Sequence, residues 1–173
     1  TLADLAGPVL FLDLGLIVTG SLDPFFEFGT DDDVILAPNP SNPIERLGQT
    51  SVYRFPVGKL RPILDIFAAD PLGIAEKYGY EQRFVTRTTP GGVKLWPKGW
   101  VSHFRRHCRR TFPLNYFLPP RLREGSRIVI FPGDLHPDDA IAGYYYHDTP
   151  VHRTPWEHIK AGLRGERKAG LIR

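Results

Sequence analysis

Apolar and polar positions along the chain switch between two periods, and each switch marks an element. Four apolar residues, Val9-Leu10-Phe11-Leu12, run straight into Asp13. A short continuous run of this kind reads as a strand buried on both faces. Ile17–Thr19 continues that strand or begins a second. Leu22 to Phe28 predicts a helix of one or two turns starting near Ser21 or Asp23, and Asp31 to Asp33 an acidic turn. Val34–Ala37 reads as a strand, followed by a loop with two Asn-Pro pairs between Asn39 and Pro43. Thr50 to Phe55 alternates as a strand with one apolar face. Leu60, Ile63, Leu64 and Phe67 fall at helical spacing in Leu60 to Ala69, with Pro62 suited to the first turn. Leu72 to Tyr78 and Glu81 to Val85 predict two further helices. Val93–Trp96, Trp100 to Phe104 and Arg127 to Phe131 read as strands, the last rich in β-branched residues. Asp138 to Tyr146 predicts a short helix. Pro155 to Leu163 predicts a terminal amphipathic helix with Trp156, Ile159 and Leu163 on one stripe.

Strands alternating with helices define an α/β class. Seventeen Pro and seventeen Gly imply short elements and long loops. No internal repeat or low-complexity segment breaks the pattern. A length of 173 residues is that of one domain. The chain lacks Met, even at position 1. With the first strand arriving so early, the expectation is a chain that begins inside a longer gene product.

Composition narrows the classes. The chain is 42% hydrophobic and 24% charged, as soluble globular proteins are. No apolar run reaches the ~18 residues of a membrane span. The first residues have no basic stretch followed by an apolar core, so no signal peptide is expected. The single Cys108 excludes an intrachain disulfide and a thiolate-built zinc site. A reducing, cytoplasmic setting follows. The net charge of +3 is uneven: Arg105, Arg106, His107, Arg109 and Arg110 cluster, and so do Arg164, Arg167, Lys168 and Arg173. Such clusters hold phosphorylated ligands or anionic lipid, which admits peripheral membrane association. No recognisable nucleic-acid module surrounds them, so no nucleic-acid partner is expected.

Asp13 is the first candidate for chemistry. A carboxylate ending a buried strand is costly unless paired, and ligands sit at the carboxyl ends of strands in open α/β sheets. Asp-x-Asp at such a place is a hard-cation site, in which two carboxylates share Mn²⁺ or Mg²⁺ and the metal bridges a nucleotide diphosphate. Here the third position is Gly15, so half of that pattern is missing. His103 and His107 have helical metal spacing without an evident third ligand. Trp96 and Trp100 are candidates for core, pocket wall or sugar platform.

The stretch Val9 to Phe26 resembles the metal-site segment of bacterial GT-A glycosyltransferases associated with cell-surface polysaccharide genes. The resemblance continues through Gly48-Gln49-Thr50-Ser51-Val52-Tyr53-Arg54-Phe55, Glu81-Gln82, the run from Trp96-Pro97 to Cys108, Ile128 to Gly133, and His136-Pro137-Asp138-Asp139-Ala140. It implies a partial GT-A-like mixed sheet with flanking short helices and long loops. The implied role is the C-terminal, metal- and acceptor-side part of a transferase, with the nucleotide-binding N-terminal strands absent before Thr1. It also implies a nucleotide-sugar donor, a glycan acceptor and Mn²⁺ or Mg²⁺. Asp13 would match the first residue of the metal triplet, and Glu81 and Gln82 would lie near the sugar or acceptor as the catalytic pair. Gly133 and His136 would approach the diphosphate, and Ser51, Trp96 and Trp100 would line the sugar or acceptor.

Two departures matter. Gly15 stands where relatives carry the second Asp, and Pro132 where they carry a His. A site stripped of two ligands binds metal weakly or not at all, which leaves open a catalytically degenerate protein that binds glycan or a partner. A second resemblance, to haloacid-dehalogenase-like phosphatases, makes Asp13 a phosphoryl acceptor with Asp134 and Asp138 on Mg²⁺. There too Gly15 replaces the general acid/base.

Overall fold

The computed structural model describes residues 5–42, 44–114, 118–131, 133, 135–141, 144–146 and 149–150. The terminal helix expected over Pro155 to Leu163 lies outside them. The described chain is mixed α/β and forms two compact units. One comprises residues 1–14 and 20–101, the other residues 15–19 and 102–173.

The first unit holds a four-stranded sheet. Its strands are β1 (Pro8–Leu12), β3 (Ile35–Pro38), β4 (Gly48–Pro56) and β5 (Lys94–Leu95), in the order β1-β4-β3-β5. β1 and β3 flank β4 antiparallel, and only the β3–β5 pair is parallel. This corrects the reading of β1 as a strand buried on both faces. β1 is an edge strand, and Phe11 is 49% exposed. An apolar run records how much oil a strand carries, not how many neighbours it has.

Among the described residues, four helices complete the unit: α1 (Asp23–Glu27), α2 (Arg61–Ala69), α3 (Pro71–Tyr78) and α4 (Glu81–Thr88). Pro24, Pro62 and Pro71 sit in the first turns of α1, α2 and α3, where a missing N–H costs nothing. Ile63, Phe84 and Val85 from α2 and α4 pack on Val34, Leu36 and Tyr53. Gly48 lets β4 approach β3 closely, because a Cβ there would fall 2.7 Å from the Leu36 Cβ.

On β4, Arg54 is completely buried. Its Nη1 donates to the carbonyls of Phe25 (2.8 Å) and Phe26 (3.1 Å), and its Nη2 to that of Thr30 (2.6 Å). The Phe25 and Phe26 carbonyls belong to the end of α1, where no intrahelical donor reaches them. A cation is also favoured at that end of a helix. Beside it, Phe25 meets Trp96 edge-on at 4.8 Å, and the Arg54 guanidinium lies 5.9 Å from the Trp96 ring centre.

The second unit contains, but for Val101, a sheet in the order β2-β7-β6, with β2 (Leu16–Val18), β6 (Val101–His103) and β7 (Ile128–Ile130). β2 is therefore a separate strand and not a continuation of β1. β6 falls within the strand expected over Trp100 to Phe104, and a π-helical turn, Phe104–Cys108, follows it. Phe104, Cys108, Val129 and Leu135 form its core. α5 spans Pro137–Ile141, and β8 (Tyr144–Tyr146) pairs with β9 (Thr149–Pro150). The helix expected over Asp138 to Tyr146 thus ends early, and Tyr144–Tyr146 is extended.

Arg54→Ala takes the donor from three backbone carbonyls, of which that of Phe25 is buried, and the loss expected in urea unfolding is about 2–3 kcal/mol. Arg54→Lys, a point charge without the planar fork, recovers only part of it.

Candidate functional site

β1 ends at Leu12, and the antiparallel register carries one step further. The Asp13 N–H donates to the Ser51 carbonyl at 3.0 Å. This bond seats Asp13 beside Ser51, on the edge of the sheet. The Asp13 carboxylate is exposed, and its Oδ1 accepts the Leu14 N–H at 2.8 Å. The cost attached to a buried carboxylate is therefore not incurred, and Asp13 stands open to a ligand.

α4 brings the second pair. Glu81 opens the helix and is exposed. Gln82 is half-buried, and its Oε1 accepts from Asn39 Nδ2 at 2.5 Å. The Gln82 amide nitrogen keeps its donors. α4 is tied to β4 by Thr86, whose Oγ1 accepts the Gly48 N–H at 3.0 Å. The same helix carries Arg83, which pairs bidentately with Glu45 at 2.8 and 2.9 Å. Arg83 holds the Glu45 carboxyl below its usual range.

Trp96 and Trp100 belong to one aromatic group. Their rings stack at 6.2 Å and 20°, and Phe25 and Phe28 meet both. Trp96 is 2% exposed, and its Nε1 donates to the Val52 carbonyl at 3.2 Å. It therefore presents no ring face to solvent, whereas Trp100 is half-buried. The acidic turn is spent on ion pairs: Asp32 with Lys59 at 2.8 Å and Asp33 with Lys94 at 2.6 Å. Lys94, helped by the Thr30 N–H, lowers the Asp33 carboxyl.

The second unit holds the other expected positions. The Gly15 carbonyl accepts the Phe131 N–H at 2.9 Å, just ahead of Pro132 in the chain. A Cβ on Gly15 would meet only the Phe131 oxygen, at 3.6 Å, an ordinary contact. Gly133 is exposed with φ +63, a left-handed turn that favours glycine, and nothing lies within 4 Å of where its Cβ would be. His136 is exposed, and its carbonyl accepts the Ala140 N–H. His103 and His107 do not form a chelating pair: the His107 Nδ1 accepts the His103 backbone N–H at 2.9 Å.

Among the described residues, the donor set at Asp13 does not fit a divalent cation held by protein ligands. It offers one carboxylate, and among the described residues no group of three or more His, Cys, Asp or Glu could hold a metal ion. Hard cations of this kind take several oxygens.

This fold has a solved counterpart. The chain is similar to the galactosyltransferase LgtC, solved in complex with donor and acceptor sugar analogs. The TM-score is 0.51 at 18% identity, covering 95% of this chain and 63% of that one. The chain thus spans somewhat under two thirds of its length. No family model matches the sequence, and no curated protein matches it. The fold is accordingly the partial GT-A-like mixed α/β one that the sequence implied. The phosphatase alternative gains nothing from this likeness. Among the described residues, no helix is long and apolar enough to cross a membrane.

Sequence reasoning missed Asn39, which fixes Gln82, and the burial of Arg54. Neither bears a motif; both are set by partners tens of residues away.

One titration is built into the second unit. Burial, with His107, Arg106 and Arg105 nearby, pushes His103 down from 6.5 to about 4. Below the unfolded value the unfolded chain takes a proton that the folded chain refuses. Stability from this group is therefore complete above 6.5 and is lost as pH falls towards about 4. Urea midpoints at neutral pH and at about pH 4.5 should differ, and His103→Gln should narrow the difference.

Proposed function

We propose that the chain is part of a glycosyltransferase that moves a sugar from a nucleotide-diphosphate donor to a hydroxyl acceptor. The observation that carries the reading is the GT-A-like fold, with Asp13 exposed at the end of β1 beside Ser51. An acceptor hydroxyl attacks the anomeric carbon, the bond to the diphosphate breaks, and the nucleoside diphosphate leaves. Glu81 receives the hydroxyl proton, as an exposed carboxylate at the head of α4 can. Gln82, its carbonyl already engaged by Asn39, donates to a sugar hydroxyl. Ser51 and the half-buried Trp100 contact the sugar, and Asp13 orients the donor. In the second unit, Gly133 and His136 are assigned to the diphosphate, which a glycine turn lets approach the backbone. No step runs through Mn²⁺ or Mg²⁺, because the donor set that the described residues offer at Asp13 does not fit one. A cytoplasmic setting and a role in surface polysaccharide synthesis belong to the same proposal.

A second reading keeps the fold without turnover: a glycan-binding protein. The single carboxylate at Asp13 favours it. Glycan binding with no sugar transfer would identify it.

Calorimetric titration of UDP and GDP, with and without Mn²⁺, tests the main reading. The expected result is saturable binding of one nucleotide by the natural protein. Asp13→Asn weakens it by about tenfold or more while leaving stability within about 0.5 kcal/mol, as for exposed positions. Binding only by a Gly15→Asp, Pro132→His variant means a transferase fold whose donor site has decayed. Binding by neither protein overturns the reading.

A further inference from the structure

One loop of the second unit concentrates exposed hydrocarbon beside charge of a single sign. From Arg105 to Arg123 the sequence carries six arginines, Arg105, Arg106, Arg109, Arg110, Arg121 and Arg123, and neither Asp nor Glu. Two hydrogen bonds tie the outgoing limb of the loop to the returning one. The Arg121 N–H donates to the Cys108 carbonyl at 2.8 Å, and the Arg110 Nε–H to that of Pro119 at 3.2 Å. Cys108 is itself buried in the core of the unit. The ties therefore anchor the base of the loop, and the arginines stand at the ties or on the stretches leading into them. Arg106, Arg109 and Arg121 are exposed.

Beyond the ties the loop reads Thr111-Phe112-Pro113-Leu114-Asn115-Tyr116-Phe117-Leu118, without a charge. The Leu118 N–H returns to the Leu114 carbonyl at 2.9 Å. Phe112 is 79% exposed, Leu114 48% and Leu118 40%. One exposed Leu is ordinary, whereas large apolar side chains gathered on one loop mark an interaction site.

An apolar end on a cationic base matches the layering of an anionic bilayer, with phosphates outside and hydrocarbon within. Interfacial segments enter such a bilayer by about 5–10 Å. Phe112 and Leu114 stand two and four residues beyond Arg110, a reach of at most about 7 and 14 Å. The arginines can thus stay at the phosphates while the apolar side chains pass them. Nucleic acid matches the charge but not the leucines, which offer no ring face for a base to stack on.

We propose that this loop docks the protein on an anionic lipid surface, with Phe112, Leu114 and Leu118 entering the interface and the arginines pairing with lipid phosphates. The two parts act together. A few apolar side chains partition weakly alone, and each arginine held near the surface adds about fivefold. The loop uses no residue of the transferase reading, so the proposal holds or fails separately from nucleotide binding.

The test is cosedimentation of the chain with vesicles of phosphatidylcholine, alone or with an equal amount of phosphatidylglycerol. Binding to the mixed vesicles should be saturable, about tenfold or more tighter than to the neutral ones, and weaker at high salt. Phe112→Ser, Leu114→Ser and Leu118→Ser together should weaken it by about tenfold or more, with circular dichroism unchanged. Arg106→Gln, Arg109→Gln and Arg121→Gln together should weaken it by about a hundredfold. Lys77→Gln, in the first unit, should leave it within about twofold. Phe112→Trp adds a reporter that does not depend on the multiple variants folding. Its added fluorescence should move to shorter wavelength on mixed vesicles and be quenched by lipid brominated in the acyl chain. Equal binding to the two vesicle types overturns the proposal, as does binding that neither triple variant weakens. Loss through the arginines alone, with Phe112→Trp unquenched, overturns it in favour of an anionic partner in water, a nucleic acid or an acidic protein. Displacement by inorganic phosphate beyond that by chloride at equal ionic strength also overturns it, by making the arginines a site for free phosphate.

Discussion

The first unit is built around a cation with no carboxylate beside it. Arg54 is wholly buried, and it gives its hydrogen bonds to three backbone carbonyls. Burial lowers its pKa, with Asp31 and Asp33 opposing at longer range, yet a guanidinium stays charged. Removing an ion from water costs several kcal/mol even after relaxation, so the arrangement persists only if α1 keeps its carbonyls aimed at β4. That requirement fixes Phe25, and Phe25 in turn meets Trp96, whose indole N–H reaches Val52 on the same strand. With one face of β4 so committed, the other is left for Tyr53 and Phe55, which meet at 5.0 Å on the helix side.

Much of this was legible in the sequence because most elements carry a clean period. α2 shows i, i+3, i+4, i+7 spacing, β7 is a β-branched triplet, and the prolines opening α1, α2 and α3 mark their starts. What misled was the count of neighbours. Val-Tyr-Arg-Phe reads as one apolar face, but β4 is covered on both, and Arg54 is on the side the pattern assigns to water. The π-helical turn at Phe104–Cys108 was invisible because no residue pattern announces hydrogen bonds that reach five residues along the chain. Three tyrosines in a row carry no usable period, so Tyr144–Tyr146 was absorbed into the preceding helix.

The candidate site divides in the same way. Asp13 was findable because a charge ending an apolar run is conspicuous, and its bond to Ser51 follows from the strand register. The restraint on Gln82 comes from Asn39, 43 residues earlier. The Trp-Pro-x-x-Trp spacing is equally compatible with a core and with an open platform. Only the enclosing Phe25 and Phe28 decide that Trp96 is core. Gly15 carries information of a different kind: its neighbours would tolerate a side chain, so packing alone does not explain the glycine.

The chain leaves the first unit after Leu14 and returns at Gly20, giving the second unit a strand from within the first unit's sequence. That strand, β2, pairs Leu16 with Ile130 and Val18 with Ile128. More than a hundred residues must emerge from a ribosome before β2 meets its partner. Closing so long a loop is entropically slow. Leu16, Ile17 and Val18 therefore wait as an unpaired apolar strand through most of synthesis, the kind of segment on which chaperones act. No cut of the gene into two consecutive pieces would give each unit its own strands.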